Sequence, residues 1–187
     1  MSDGVLAAHS ALEGFRLPSG GRFALEEAPA AARFVFRGPE AARAACSAAF
    51  GAELPTRLGL AGWAQRRAAL WLGPDEWLMI AEGADATAIG ASLEAALGSL
   101  PHSLVDVSHR QTGVVVNGAA AARALSAGCP LDLHLSAFPI GMATRTIFDK
   151  AEIVLWRRVA SAWHVEVWRS FAPYLVAALT EAARGAT

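Results

Sequence analysis

Two stretches of this chain share one grammar, and that repetition constrains the fold more than any single motif does. From Val105 to Leu133 an alternating apolar pair, Val105 and Val107, runs into a polar turn from His109 to Gly113. A β-branched run, Val114 to Val116, follows, and then Gly118 opens an Ala-rich helix that Gly128 and Pro130 close. The earlier copy is Phe34-Val35-Phe36-Arg37-Gly38 before Pro39 to Arg43, against Val114-Val115-Val116-Asn117-Gly118 before Ala119 to Arg123. Downstream, Thr56-Arg57 precedes Leu70-Trp71 and Trp77, as Thr144-Arg145 precedes Leu155-Trp156 and Trp163. Each half ends in a helix with one apolar stripe: Ile89, Leu93 and Leu97 in the first, Leu175, Leu179 and Ala182 in the second.

The expected fold class is therefore α+β: two pseudo-repeated, ferredoxin-like units with mainly antiparallel sheets and helices packed on one side of each. The expected division is a flexible arm over residues 1–21, a first unit over 22–101 and a second over 102–187, the two packed as one compact domain. Phe23 and Leu25, then Phe34 to Phe36, read as strands; Pro39 begins a helix that Gly51 stops. Residues 54–62, with Pro55, Gly59 and Gly62, read as an irregular connection. Ala68 to Leu72 and Glu76 to Ala81 form strands around Gly73-Pro74-Asp75, and Asp85 caps the helix after them. In the second half a hairpin turns at Asp149-Lys150, a strand covers Trp163 to Trp168, and Ser170 caps the last helix with Pro173 in its first turn.

With 187 residues the chain buries a sizeable core without staples. Two cysteines, Cys46 and Cys129, are too few for a disulfide framework and suit a reducing compartment, so the cytoplasm is expected. The amino terminus carries an acid where a signal peptide is basic, and no apolar run approaches the roughly 20 residues of a membrane span. A formal net charge of −1 argues against nucleic acid as a partner. Six tryptophans against one tyrosine must be covered, by the core or by a partner.

The densest polar cluster is Asp106, Ser108, His109, Arg110, Gln111 and Thr112. Strand alternation puts Asp106 and Ser108 on one face and His109 on the other, so they do not line up as orienter, nucleophile and base. No Gly-x-Ser-x-Gly elbow is present, and a Ser/His hydrolase is disfavoured. Asp106, His109, Arg110 and Arg145 remain ligand-binding candidates, in a cleft between the two units. Cys129, His134, His102, His109 and His164 lack the paired spacing of a metal site, and no metal is expected. No dinucleotide fingerprint or phosphate loop occurs, and the pairs Arg66-Arg67 and Arg157-Arg158 read as solvated edges. Trp168, Phe171 and Tyr174 cluster at a helix start and are the interface candidates.

Four blocks carry a family resemblance: LWLGPDEWLMIAEG (Leu70 to Gly83), VDVSHRQTGVVVNG (Val105 to Gly118), AGCPLDLHLSAFPIGMATRTIFDKAEIVLWR (Ala127 to Arg157) and VEVWRSFAPYL (Val165 to Leu175). They resemble the gamma subunit of bacterial heterotetrameric sarcosine oxidase. That resemblance implies a fold similar to folate-binding aminomethyltransferase domains. It also implies alpha, beta and delta partner subunits, with oxidative demethylation of sarcosine to glycine and hydrogen peroxide, the one-carbon unit going to tetrahydrofolate. FAD, covalent FMN, NAD and zinc are implied in the partners, no catalytic residue or cofactor site in this chain, and tetrahydrofolate as a conceivable ligand. The role implied is assembly and stabilisation of the complex; the rival is a stand-alone folate-binding one-carbon protein.

Overall fold

The computed structural model describes residues 9–57 and 59–186. In chain order the strands and helices are β1 (Ala24–Glu27), β2 (Ala31–Arg37), α1 (Glu40–Phe50), β3 (Ala61–Ala64), β4 (Arg67–Gly73), β5 (Glu76–Glu82) and α2 (Ala86–Leu97). Then come β6 (Ser103–Asp106), β7 (Gln111–Asn117), α3 (Ala121–Ser126), β8 (Ala143–Phe148), β9 (Ala151–Val159), β10 (Ala162–Trp168) and α4 (Ala172–Arg184). They build two antiparallel sheets, ordered β3-β4-β5-β2-β6 and β8-β9-β10-β7-β1. Written in that direction the sheets correspond strand for strand, and α1 and α2 correspond to α3 and α4. Phe34–Phe36 and Val114–Val116 occupy matching strands, as do Trp71 with Trp156 and Trp77 with Trp163. The repeated α+β architecture is thus what the structure has.

The two sheets pack face to face, with helices on the outer faces. In β2, Ala32, Phe34 and Phe36 face α1 and α2 and pack with Cys46, Phe50, Leu93 and Leu97. In the second sheet Val114, Val116, Ile153, Leu155, Trp163 and Val165 pack with Leu125, Leu175 and Leu179 of α3 and α4. The alternate residues of the same strands, Leu70, Leu78 and Ile80 with Val154 and Trp156, form the layer between the sheets. Strand period two explains both layers: each central strand is apolar on both faces, because each face is covered. On one side the sheets are joined by backbone hydrogen bonds from Ala61 N to Gly141 O and from Ala143 N to Gly59 O, both 2.8 Å. The other side is open.

Several expectations need correcting. The sheets do not divide at residue 101: β6 follows α2 and pairs with β2 in the first sheet, whereas β1 pairs with β7 in the second. The Thr-Arg echo does not hold, since Thr144 and Arg145 lie in β8 while Thr56 and Arg57 lie in the loop before β3. Residues 9–21 are not a loose arm. Leu12 is buried against the second unit's core, Ser10 Oγ donates to Glu27, and Leu25 N donates to Pro18 O at 2.9 Å. Residues 1–8 of the expected arm lie outside the described residues.

Ser170 does not cap α4; it sits inside a 3-10 turn, Arg169–Phe171, that runs straight into the helix with Pro173 in its first turn. Asp85 does cap α2, accepting from Thr87 N at 2.9 Å. Gly51, at φ +71°, ends α1 in the left-handed conformation. Arg157 is no solvated edge: it is buried, stacks 4.5 Å from the Trp163 ring centroid and donates to the carbonyls of Leu133 and Phe138.

Candidate functional site

Arg33 stands mid-strand in β2, and because its neighbours Ala32 and Phe34 face the helices, its side chain enters the layer between the sheets. Glu166 and His164 alternate with Trp163, Val165 and Val167 in β10 and enter the same layer from the opposite sheet. Arg33 Nε donates to Glu166 Oε2 at 2.7 Å, and His164 Nε2 lies 2.7 Å from Glu166 Oε1. Burial acts to raise the Glu166 carboxyl, but the His164 hydrogen bond and the Arg33 charge together hold it below its ordinary value. An ionised Glu166 can only accept, so His164 Nε2 carries the proton; Nδ1 has no partner among the described residues.

The open side of the sandwich forms a cleft of about 870 Å³ between the two units. Its walls are the β1–β2 connection, the N-terminal end of α2, the turn between β6 and β7, and the segment at His9 and Ser10. Ser108 anchors that turn to β2: its Oγ accepts from Arg33 N at 2.9 Å and donates to Asp106 Oδ1 at 2.5 Å. Asp106 Oδ1 also accepts from Ser108 N at 2.8 Å, an Asx turn.

Among the sequence candidates, Asp106 and His109 both line this cleft, while Arg110 and Arg145 do not. Arg110 stacks on Trp168, 5.5 Å from its ring centroid, and Arg145 pairs with Glu76 at 2.6 Å; the two share a small hollow elsewhere between the sheets. The Ser108 hydroxyl is given to a carboxylate rather than to an imidazole, so the cluster has the form of a turn anchor. Of the interface candidates, Trp168 and Phe171 are exposed at 42% and 40%, whereas Tyr174 is half-buried and donates its hydroxyl to Asp149. Among the described residues no three His, Cys, Asp or Glu side chains are grouped to hold a metal ion, and no helix is long and apolar enough to cross a membrane.

Sequence reasoning missed Arg33, Glu166 and Glu27 as residues of the inner layer or the cleft, read Asp85 only as a helix cap, and named Gln111 only as a member of the polar cluster. A signal existed for the first two: a charged residue at an inward position of a strand whose both faces are otherwise apolar. Glu27 and Asp85 carried none, because their meeting depends on β1 crossing to the second sheet.

Residues 37–185 match the family described as "Sarcosine oxidase, gamma subunit family". The sarcosine oxidase subunit gamma of Corynebacterium sp. (strain P-1) is 38% identical over 141 residues, which is 74% of this chain and 68% of that one. That of an Arthrobacter species is 39% identical over 126 residues, 67% of this chain and 61% of that one. Among solved structures, a chain of the heterotetrameric sarcosine oxidase from Corynebacterium sp. U-96 superposes with a TM-score of 0.82 at 32% identity, covering 89% of this chain and 87% of that one. The glycine cleavage system aminomethyltransferase T from Bartonella henselae shares the fold, with a TM-score of 0.63 at 13% identity over 83% of this chain and 44% of that one. By the reach of the family match and the closeness of these relatives, this chain belongs to the sarcosine oxidase gamma subunit family.

Proposed function

We propose that the chain is the gamma subunit of a heterotetrameric sarcosine oxidase and that its task is assembly and stabilisation, not chemistry. The observation that carries this reading is the family match over residues 37–185, together with the 0.82 superposition on a chain of a heterotetramer. In this reading alpha, beta and delta subunits are its partners and hold the FAD, FMN, NAD and zinc. The complex demethylates sarcosine to glycine in the cytoplasm, with hydrogen peroxide as the reduced product. Exposed Trp168 and Phe171 supply contact area of the kind that anchors subunit interfaces.

The test is to express the chain alone and together with its three partner subunits. The chain alone is expected to be colourless and inactive on sarcosine, and the co-expressed set to elute as a stoichiometric complex. Flavin absorbance in the purified single chain, or an active oxidase lacking it, overturns the reading.

A cleft lined by Asp106 and His109 gives some support to the rival, a stand-alone folate-binding one-carbon protein. Its charge weighs the other way, since Glu27, Asp85 and Asp106 repel the glutamate tail of a folate. Titrating tetrahydrofolate against tryptophan fluorescence decides: saturable quenching supports the rival, and its absence removes it.

A further inference from the structure

We infer that the face around Trp63 docks an acidic segment of a neighbouring subunit, one that presents carboxylates beside an aliphatic or aromatic side chain. The inference rests on the proposed place of the chain in a complex. Strand alternation in β3 puts Trp63 on the same face as Ala61, which packs in the layer between the sheets. Because β3 is an edge strand, that layer runs out beneath the indole and leaves it 53% exposed. Its position is nevertheless fixed. The Trp156 ring lies 5.9 Å from it at 54°, and a Cβ on Gly141 would stand 3.2 Å from the indole, so backbone packs directly against it. Next to Gly141, Ile140 is 49% exposed and extends the apolar surface. An anchor already held in place loses little conformational freedom when a partner covers it.

The charge around the indole says what covers it. Members of both basic pairs of the sequence meet here: the hollow beside Trp63 is lined by Arg66, Arg67 and Arg158, against the one carboxylate of Glu82. Glu82 stands 3.8 Å from Arg158 and offsets one of the three charges. Arg67 donates to the carbonyl of Phe50, a neutral acceptor, so its charge remains. Arg158 stacks on Trp156, 5.2 Å from the ring centroid. The guanidinium of Arg66 lies against Gly83 and makes no hydrogen bond or ion pair among the described residues. A half-exposed tryptophan inside a collar with excess positive charge matches a partner that offers carboxylates, which guanidiniums take up in pairs of hydrogen bonds. A second copy of this chain docked on the same face would set like charges against each other.

The test uses the chain co-expressed with the alpha, beta and delta subunits. R66E and W63A are each expected to raise its dissociation constant from the complex about tenfold, read by analytical ultracentrifugation at falling concentration. Melting temperatures of the isolated variants check that they are folded, and R66E, which breaks no contact among the described side chains, decides if W63A is not. Benzoylphenylalanine in place of Ile140 identifies the occupant: illumination of the complex is expected to cross-link it to a partner segment that carries carboxylates. A wild-type complex whose dissociation neither variant changes overturns the inference alone. So does a cross-link to a neutral segment, to nucleic acid or to a second copy of this chain. Failure of the wild-type chain to enter any complex overturns the inference together with the proposed function.

Discussion

Arg33 and Glu166 meet at 2.7 Å between the sheets, one strand of each sheet contributing one partner to a buried ion pair. Removing one partner strands the other charge in the interior. E166Q is expected to destabilise the chain by about 3–5 kcal/mol, while R33M/E166Q, which removes both charges and leaves an amide oxygen for His164 Nε2, costs less. The urea midpoints of the two variants, at an unchanged slope, check this. A double variant as weak as the single one contradicts the pairing.

His102 Nδ1 lies 2.7 Å from the Leu100 carbonyl and Nε2 3.1 Å from Glu94. The Leu100 hydrogen bond above all raises the imidazole above its ordinary value; burial opposes it, and Glu94 adds to the rise. A raised value in the folded state means a stabilising contribution that is complete below the ordinary histidine range and lost as pH rises through the folded value. Replacing His102 by Gln is expected to flatten the fall of melting temperature across that range. An identical pH profile for the variant excludes His102 as its source.

Gly118 follows β7 at φ +111°, and a Cβ there would stand 2.4 Å from the carbonyl oxygen of Arg22. That carbonyl accepts from Ala120 N at 2.9 Å, so it cannot retreat without losing a bond. G118A is expected to cost about 1–3 kcal/mol, from backbone strain and displacement of the segment leading into β1. Thermal unfolding measures it, and a neutral outcome contradicts the close approach of these two segments.

Trp168 and Phe171 are partly exposed in the single chain, so truncating them should cost its stability less than truncating a buried aromatic would. W168A and F171A are instead expected to weaken assembly of the oxidase, each by about 1 kcal/mol or more. Analytical ultracentrifugation of the co-expressed complex at falling concentration reads this out. Unchanged dissociation in both variants moves the interface elsewhere on the surface.

Much of the architecture could be read from local pattern, because hydrophobic period and turn chemistry act over a few residues. The pairing of Phe34–Phe36 with Val114–Val116 as equivalent strands rested on their repeated sequence, and the Asp85 cap on its residue type and position. What escaped was non-local. Nothing near Ala24 announces that β1 joins β7, and nothing in residues 9–21 distinguishes Leu12 in a core from Leu12 in an arm. The cleft followed suit: Asp106 and His109 were visible as a cluster, but Glu27 and Asp85 come to the same cavity only through sheet membership. Arg110 and Arg145 are expected beside them in the cleft, but a stack on Trp168 and a pair with Glu76 send them elsewhere.

The crossing of β1 to the far sheet has a bearing on biogenesis. Its four residues leave the ribosome well ahead of β7, the strand they must pair with, and the whole earlier-translated sheet can form in the interval. The later sheet is therefore completed by a strand made before the earlier one, and deleting β1 would leave β7 with a raw hydrogen-bonding margin open to foreign strands.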